Sequence, residues 1–153
     1  MITINVLSAL KANYSGRNSS AKAFNGDTSI ISMNQSSNFR ADYKYVTYPE
    51  SDWDGIYLLI GSGNSEESIN SYKLDSVISN YTCISQMHTL DTEFNNNLLT
   101  VVRTIQNTST EEFTIKEVGL FAANYMVARE LLETPITIQP GEKYTLSMTI
   151  GLE

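Results

Sequence analysis

The sequence predicts an all-β protein, an antiparallel β-sandwich of the jelly-roll or immunoglobulin-like type with an irregular N-terminal arm. Serine, threonine and asparagine account for 18, 15 and 14 of the 153 residues, and these types favour strands, turns and caps over helix interiors. From about Lys44 onward, short apolar segments alternate regularly with turn signals, as in antiparallel sandwiches. No segment after Lys44 keeps an apolar stripe at helical period for three turns.

The first 43 residues are predicted to form the arm, and residues 44–153 the sandwich domain. Residues 1–50 carry 5 basic and 3 acidic groups, a net charge of +2, whereas residues 51–100 carry 1 and 7, a net charge of −6. The beginning of the chain shows no sustained apolar periodicity, which is typical of a loosely packed segment. A short helix over Ile4–Leu10 is the alternative for its first residues.

Eight strands are predicted in the second region, and the last of them is the clearest. In that strand Tyr144, Leu146, Met148 and Ile150 alternate with polar residues, so one face is expected in the core and the other in solvent. One helical turn is an alternative for Tyr72–Ser79. The predicted strands are Lys44–Tyr48, Ile56–Ile60, Tyr81–Leu90, Leu98–Asn107, Glu112–Ala122, Tyr125–Leu132, Ile136–Ile138 and Lys143–Gly151.

Three charged residues are predicted to lie side by side on one largely apolar face, which Glu117 shares with Phe113, Ile115 and Phe121 of its own strand. A three-residue loop after Phe121 places Glu117 directly opposite Arg129 on the next strand. A hairpin turned around Ser109 makes Arg103 a diagonal neighbour of Glu117, within reach of a long side chain. We interpret Arg103, Glu117 and Arg129 as a partly buried structural network that fixes strand register. A charged active site or ligand site is the alternative interpretation.

Composition excludes two classes of partner. The formal charge is 10 − 17 = −7, so nucleic acid, which requires clustered Lys and Arg, is not expected as a partner. No apolar run approaches the roughly 20 residues of a membrane helix, and the start lacks the basic residues of a secretory signal. We therefore expect a protein that is made in a cytoplasm and has no membrane partner.

The sequence also predicts no catalytic, cofactor or metal site. Gly61-Ser-Gly63 follows an apolar strand, but Glu66 stands where a dinucleotide fingerprint has its third glycine. Cys83 and His88 are the only residues of their types, and their spacing of five on a predicted strand places them on opposite faces. We expect no enzymatic activity and no cofactor.

Asp52-Trp53-Asp54-Gly55 is predicted to form a turn before a strand. Two carboxylates in a turn supply too few of the six or more oxygens that Ca²⁺ takes. Trp53 beside two carboxylates is able to stack on a sugar ring, whereas a turn tryptophan in a structural protein is more often an interface anchor. We therefore interpret Asp52, Trp53 and Asp54 as an interface or ligand anchor, with Trp53 buried against protein in the assembled state.

Several short motifs follow one another between Ile56 and the end of the chain. They are Ile56-Tyr-Leu-Leu-Ile-Gly-Ser-Gly63, Ser71-Tyr-Lys-Leu74, Val101-Val-Arg-Thr104, Thr114-Ile-Lys-Glu-Val-Gly-Leu-Phe121, Ala128-Arg129 and Thr134-Pro-Ile-Thr-Ile-Gln-Pro-Gly-Glu142. Their order and spacing resemble a family of small structural proteins of tailed bacteriophages, often labelled capsid, head-fibre or tail-associated proteins. Residues 1–45 lie outside this resemblance.

The resemblance implies a β-sandwich without catalytic activity, present in many copies. It leads us to expect a structural component of a tailed-phage virion, a head or neck decoration or a fibre-attachment subunit. The expected partners are capsid, portal or neck, and fibre proteins, together with further copies of the chain itself. The expected location is the virion, after synthesis in the host-cell cytoplasm. The alternative is a carbohydrate-binding module of a phage fibre or adhesin, with exposed aromatic residues around Trp53, Tyr57 or Tyr48.

Overall fold

A computed structural model describes residues 19–22, 26, 28–31, 56–91, 98–122 and 125–151. These residues form eight strands and no helix. The strands are β1 (Ser19–Lys22), β2 (Thr28–Ile31), β3 (Ile56–Gly61), β4 (Tyr81–Asp91), β5 (Leu98–Asn107), β6 (Phe113–Ala122), β7 (Tyr125–Ile138) and β8 (Lys143–Gly151).

Two antiparallel three-stranded sheets pack face to face, which confirms the predicted β-sandwich. One sheet has the order β3-β6-β7 and the other the order β4-β5-β8. The core between them combines apolar side chains from both sheets, because each sheet turns one face of its alternating strands inward. Its fully buried members are Leu58, Ile60, Val101, Ile105, Ile115, Leu120 and Ile138.

The chain crosses between the sheets three times, after β3, β5 and β7. The predicted hairpin between β5 and β6 is therefore wrong: β5 pairs with β4 and β8, and β6 pairs with β3 and β7. The two strands contribute to the same core from opposite sides, so they face each other instead of pairing. Asn107 fixes this corner, since its Nδ2 donates to the carbonyls of Glu111 (2.8 Å) and Ile138 (3.0 Å).

The strand bounds agree closely with the sequence pattern at β5 and β8, which have the predicted limits. The segments Tyr125–Leu132 and Ile136–Ile138, predicted as two strands, belong to the single strand β7. Pro135 is accommodated there because β7 is an edge strand and residues 132–135 have no partners in β6, so its missing N–H costs no ladder hydrogen bond. Residues 72–79 form no helical turn; an isolated bridge joins Val77 to Gly61.

A bulge in the pairing of β6 with β7, in which residues 132–135 of β7 lie opposite residue 116 of β6 alone, changes which residues of β6 share a face. The register against β7 shifts between Ile115 and Glu117. Ile115 consequently lies in the core between the sheets, whereas Phe121 packs in a separate cluster on the other side of its sheet. Glu117 lies with Phe121 on this outer face, and its predicted placement on the face of Ile115 is wrong because the bulge interrupts the two-residue alternation.

The predicted arm contains one antiparallel pair, β1 with β2. Gly26 lies in the connection between them with a φ of 92°, a conformation that favours glycine. The predicted helix Ile4–Leu10 and the predicted strand Lys44–Tyr48 lie outside the described residues.

Candidate functional site

The outer face of the β3-β6-β7 sheet is covered by the segment that joins β3 to β4, residues 62–80, here called the covering segment. Leu74 of this segment packs into an apolar cluster with Tyr57, Phe121 and Met126. The rings of Tyr57 and Phe121 stack with centroids 5.6 Å apart. Burial raises the pKa of Tyr57 to about 12. The sheet thus has two buried faces, and the covering segment forms a third layer.

Beside this cluster, the carboxylate of Glu117 lies under the covering segment and accepts hydrogen bonds from its backbone. Its side chain is fully buried. One oxygen accepts from the backbone N–H groups of Gly63 (3.1 Å) and Ser76 (3.0 Å), and the other from the N–H of Asp75 (3.2 Å) and from Arg129 Nε (2.9 Å). A carboxylate has about four acceptor sites, so these four donors fill all of them.

Arg129 connects Glu117 to the same segment from the other side. Its guanidinium donates to Glu117 and forms a second ion pair with Asp75 Oδ2 at 2.9 Å. It also donates to the backbone carbonyls of Ser65 (3.2 Å) and Glu66 (3.4 Å). Hydrogen bonds from Ser65, followed by the charge of Arg129, hold the pKa of Asp75 below its usual value. Arg129 is itself 2% exposed and Glu117 is fully buried, whereas the Asp75 side chain is 35% exposed, so the cluster reaches water only through Asp75.

The structure brings Glu117 and Arg129 together through a register that differs from the predicted one. Gly119 lies opposite Arg129, and Leu131 lies opposite Glu117. The pair is therefore diagonal, because β6 and β7 also shift register between Leu120 and the residue that follows it. A displacement of two residues leaves both side chains on one face, and the long arginine side chain spans the diagonal.

Arg103 does not share this face. It lies in β5 of the opposite sheet and points to β3, where its Nη1 donates to the Leu58 carbonyl at 2.6 Å and to Gln86 Oε1 at 3.4 Å. Its guanidinium lies 5.5 Å from the ring centre of Tyr81, in cation–π contact. The predicted three-membered network is thus divided between two places, because the hairpin that joined them does not form.

Gln86 is a functional residue of the fold that sequence analysis did not identify. Its side-chain amide accepts from Leu58 N (3.1 Å) and donates to the Ile56 carbonyl (3.0 Å), as a neighbouring strand would. Together with Arg103 it seals the free edge of β3. The sequence shows only a polar residue at an inward-facing position of a strand, and its pairing with Arg103 is seen only in the structure.

The two glycines of Gly61-Ser-Gly63 are explained by the approach of their backbone to Glu117. A Cβ atom at Gly61 would lie 2.5 Å from Glu117 Oε1 and 2.7 Å from the Ser76 carbonyl. A Cβ atom at Gly63 would lie 2.5 Å from the same carboxylate oxygen and would also collide with Asp75. The two glycines allow the backbone of the covering segment to pack directly against the Glu117 carboxylate.

Asp52, Trp53 and Asp54 lie outside the described residues, so their role as an interface or ligand anchor stays a prediction. Within the described ranges, no three His, Cys, Asp or Glu residues are arranged to hold a metal ion. The same part of the chain contains no helix of the length and apolarity required to cross a membrane.

Comparison of this chain with protein-family models, with curated proteins and with solved structures finds no match.

Proposed function

We propose that this protein is a non-catalytic structural component of a tailed-phage virion, acting at the head, the neck or the fibre attachment site. Its partners are other virion proteins and further copies of the same chain. It is made in the host-cell cytoplasm and resides in the virion. The proposal joins the resemblance of the motifs after Ile56 to the way in which the buried charges are used.

The observation that supports the proposal is the saturation of the Glu117 carboxylate. A general base or nucleophile requires an acceptor site within reach of a substrate. In Glu117 all four sites are occupied by Arg129 and by backbone N–H groups of the covering segment. The most chemically capable cluster among the described residues is therefore committed to holding a surface segment in one conformation, as an assembly protein requires.

The decisive experiment is mass spectrometry and electron microscopy of phage particles produced with and without the gene. We expect the chain in purified wild-type particles at a fixed stoichiometry, and ordered density at one site that disappears when the gene is deleted. Complementation with the wild-type gene should restore that density. A chain that is abundant in the lysate but missing from washed particles would overturn the proposal.

A further inference from the structure

The four edge strands of the sandwich differ in what protects their outer side. Gln86 and Arg103 close β3, and a bulge interrupts β4. In β7, Pro135 lies in a stretch without partners in β6, and Glu67 accepts a hydrogen bond from the Leu131 N–H. Charges, prolines, bulges and covering loops are the features by which proteins prevent another chain from pairing with an edge.

The fourth edge strand, β8, has a regular backbone. Its register against β5 runs without a shift from Lys143 to Gly151. The strand contains no proline, and its one charged residue, Lys143, is its first. Half of the N–H and C=O groups of an edge strand point away from its neighbour. β8 therefore offers an edge to which a further strand can pair.

A groove runs beside this edge, between Glu130 of β7 and Met148 of β8, and is here called the edge groove. It consists of two hollows of about 210 and 150 Å³, and both residues border each hollow. Seven partly buried apolar residues pack against the core, and five of them belong to these two strands. Apolar side chains that enter the edge groove would complete their burial. The five residues are Val127, Leu132, Ile136, Tyr144 and Ile150.

An occupant of the edge groove needs an extended segment with apolar side chains at every second position. Residues 2–6 of this chain have that pattern, since Ile2, Ile4 and Val6 alternate with threonine and asparagine. The three apolar residues are β-branched, which favours a strand. β8 alternates apolar and hydroxyl residues in the same way, so the two strands would present matching faces when paired.

Charge complementarity favours this occupant between copies. Residues 1–26 carry 3 basic and no acidic groups, a net charge of +3, whereas residues 27–153 carry 7 and 17, a net charge of −10. Glu130 and Glu133 are exposed on β7, the strand that borders the edge groove. Lys11 and Arg17 follow residues 2–6, so this part of the chain brings cations to an acidic neighbour.

The length of chain before β1 is sufficient for such a contact. Residues 7–18 span up to about 40 Å when extended, whereas a domain of about 100 residues has a radius of gyration of about 13 Å. Residues 2–6 can therefore reach beyond their own sandwich. A donor segment and an acceptor groove at different places on one chain make a head-to-tail contact, which joins many copies.

We propose that residues 2–6 of one copy of this chain add to β8 of a neighbouring copy as a further strand, with Ile2, Ile4 and Val6 in the edge groove. Main-chain hydrogen bonds to β8 would supply affinity, and the alternating side chains would supply specificity. The inference deepens the proposed function, since it rests on a protein that acts in many copies, and it gives the N-terminal arm a binding site.

Sedimentation velocity of the full-length protein between about 10 μM and about 1 mM tests the inference. The wild type should form species larger than a dimer as the concentration rises. Ile4→Asp places a carboxylate in the edge groove and should shift association to a concentration at least about tenfold higher. Asn5→Asp adds the same charge on the opposite face of the strand and should weaken association less. Asn13→Asp, outside the paired segment, is the control that should associate like the wild type.

Hydrogen exchange locates the contact. A synthetic peptide of residues 1–11, added to the full-length Ile4→Asp protein, should bind in the edge groove and slow the exchange of β8 amides. The amides of β4, at the other edge of the same sheet, should exchange at an unchanged rate. A peptide of residues 41–49, which contains the predicted strand Lys44–Tyr48, is the competing occupant and should not bind. Circular dichroism melting verifies that each variant is folded.

A wild-type protein that stays monomeric at about 1 mM overturns the inference. So does equal weakening by Ile4→Asp and Asn5→Asp, or protection of β8 by the peptide of residues 41–49 instead. These outcomes are separable from failure of the proposed function, because self-association is measured on the isolated protein and the proposed function on particles. Head-to-tail association without virion incorporation keeps the inference and rejects the function; the reverse result does the opposite.

Discussion

Glu117 is fully buried, and its charge is compensated by Arg129 together with three backbone N–H groups of the covering segment. Such a pair need not add net stability relative to apolar residues, because both ions lose their hydration. Removing Glu117 is a different matter, since the buried Arg129 then keeps only the partly exposed Asp75 as a counter-charge and three backbone N–H groups lose their acceptor. At the residue scale, this asymmetry predicts a large effect of substitution at Glu117.

We expect Glu117→Ala to lower the free energy of unfolding by about 3–5 kcal/mol. The substitution leaves Arg129 with one of its two carboxylate partners and removes the acceptor for the N–H groups of Gly63, Asp75 and Ser76. Urea denaturation followed by circular dichroism measures the change. Glu133→Ala is the control, because Glu133 is exposed on β7 and a surface substitution usually changes stability by less than about 0.5 kcal/mol.

Glu117→Gln separates the role of charge from that of shape. The amide of glutamine keeps one oxygen acceptor. Its NH₂ group replaces the second carboxylate oxygen and then faces N–H donors to which it cannot hydrogen-bond. We therefore expect a loss of stability here too. A Glu117→Gln protein that melts and assembles like the wild type would show that the charge cluster is not what holds the covering segment.

The pH dependence of the free energy of unfolding should show the contribution of ionised Asp75. Because the pKa of Asp75 is held below its ordinary 3.8 in the folded chain, its ionised form stabilises the fold above that value, and the contribution is lost as the pH falls through the lowered pKa. We expect the urea midpoint of the wild type to fall more steeply between about pH 4 and pH 2 than that of Asp75→Asn. Equal slopes for the two proteins would contradict this assignment.

At the scale of the secondary-structure element, β3 is an edge strand whose free side is closed by side chains. Gln86 and Arg103 satisfy the backbone groups of Ile56 and Leu58 that face away from β6. Farther along, the Ile60 carbonyl accepts from the N–H of the covering segment at position 78. Closing an edge in this way prevents another chain from pairing there.

Gln86→Leu should therefore open the edge of β3. It leaves the Leu58 N–H and the Ile56 carbonyl buried without their partner, at about 1–3 kcal/mol for each group. Hydrogen exchange at the Leu58 amide should accelerate in this variant. Met87→Leu, a change at the adjacent exposed residue of β4, should leave that exchange rate unchanged. Acceleration of equal size in both variants would count against a specific role of Gln86.

The elements themselves follow from the sequence more fully than their arrangement does. β8 is predictable because strict alternation of apolar and polar residues fixes both a strand and its buried face. The proximity of Glu117 and Arg129 is also accessible, since residues on one face stay together when the register is wrong by two. Neither inference requires knowledge of which strands pair.

The placement of Arg103 fails for the opposite reason. It depends on whether β5 and β6 form a hairpin or cross between sheets, and both arrangements bury the same apolar residues. The bulge beside Ile115 is not visible in the sequence of β6, because its extra residues, which include Pro135, belong to β7 and the strand pairing is not known from the sequence. The role of Gln86 cannot be predicted from the sequence for the same reason. The hydrogen bonds of an inward-facing amide can be assigned only when the edge strand beside it is known.

At the scale of the whole molecule, the described apolar packing lies within one continuous part of the chain. Every member of the core between the sheets, and of the cluster under the covering segment, lies between Ile56 and Ile150. The Glu117–Arg129 cluster and the Gln86 closure lie within the same limits. Burial of apolar surface is the main stabilising contribution to folding, so we expect this region to fold by itself.

Deletion of residues 1–40 should accordingly leave a folded β domain that no longer assembles into particles. Cooperative urea unfolding and an all-β circular dichroism spectrum test the first part, and incorporation into particles in a complementation assay tests the second. A truncated chain that fails to fold would mean that the first 40 residues supply core strands, and the division into arm and domain would be wrong. A folded truncated chain that still enters particles would instead place the assembly contacts on the sandwich itself.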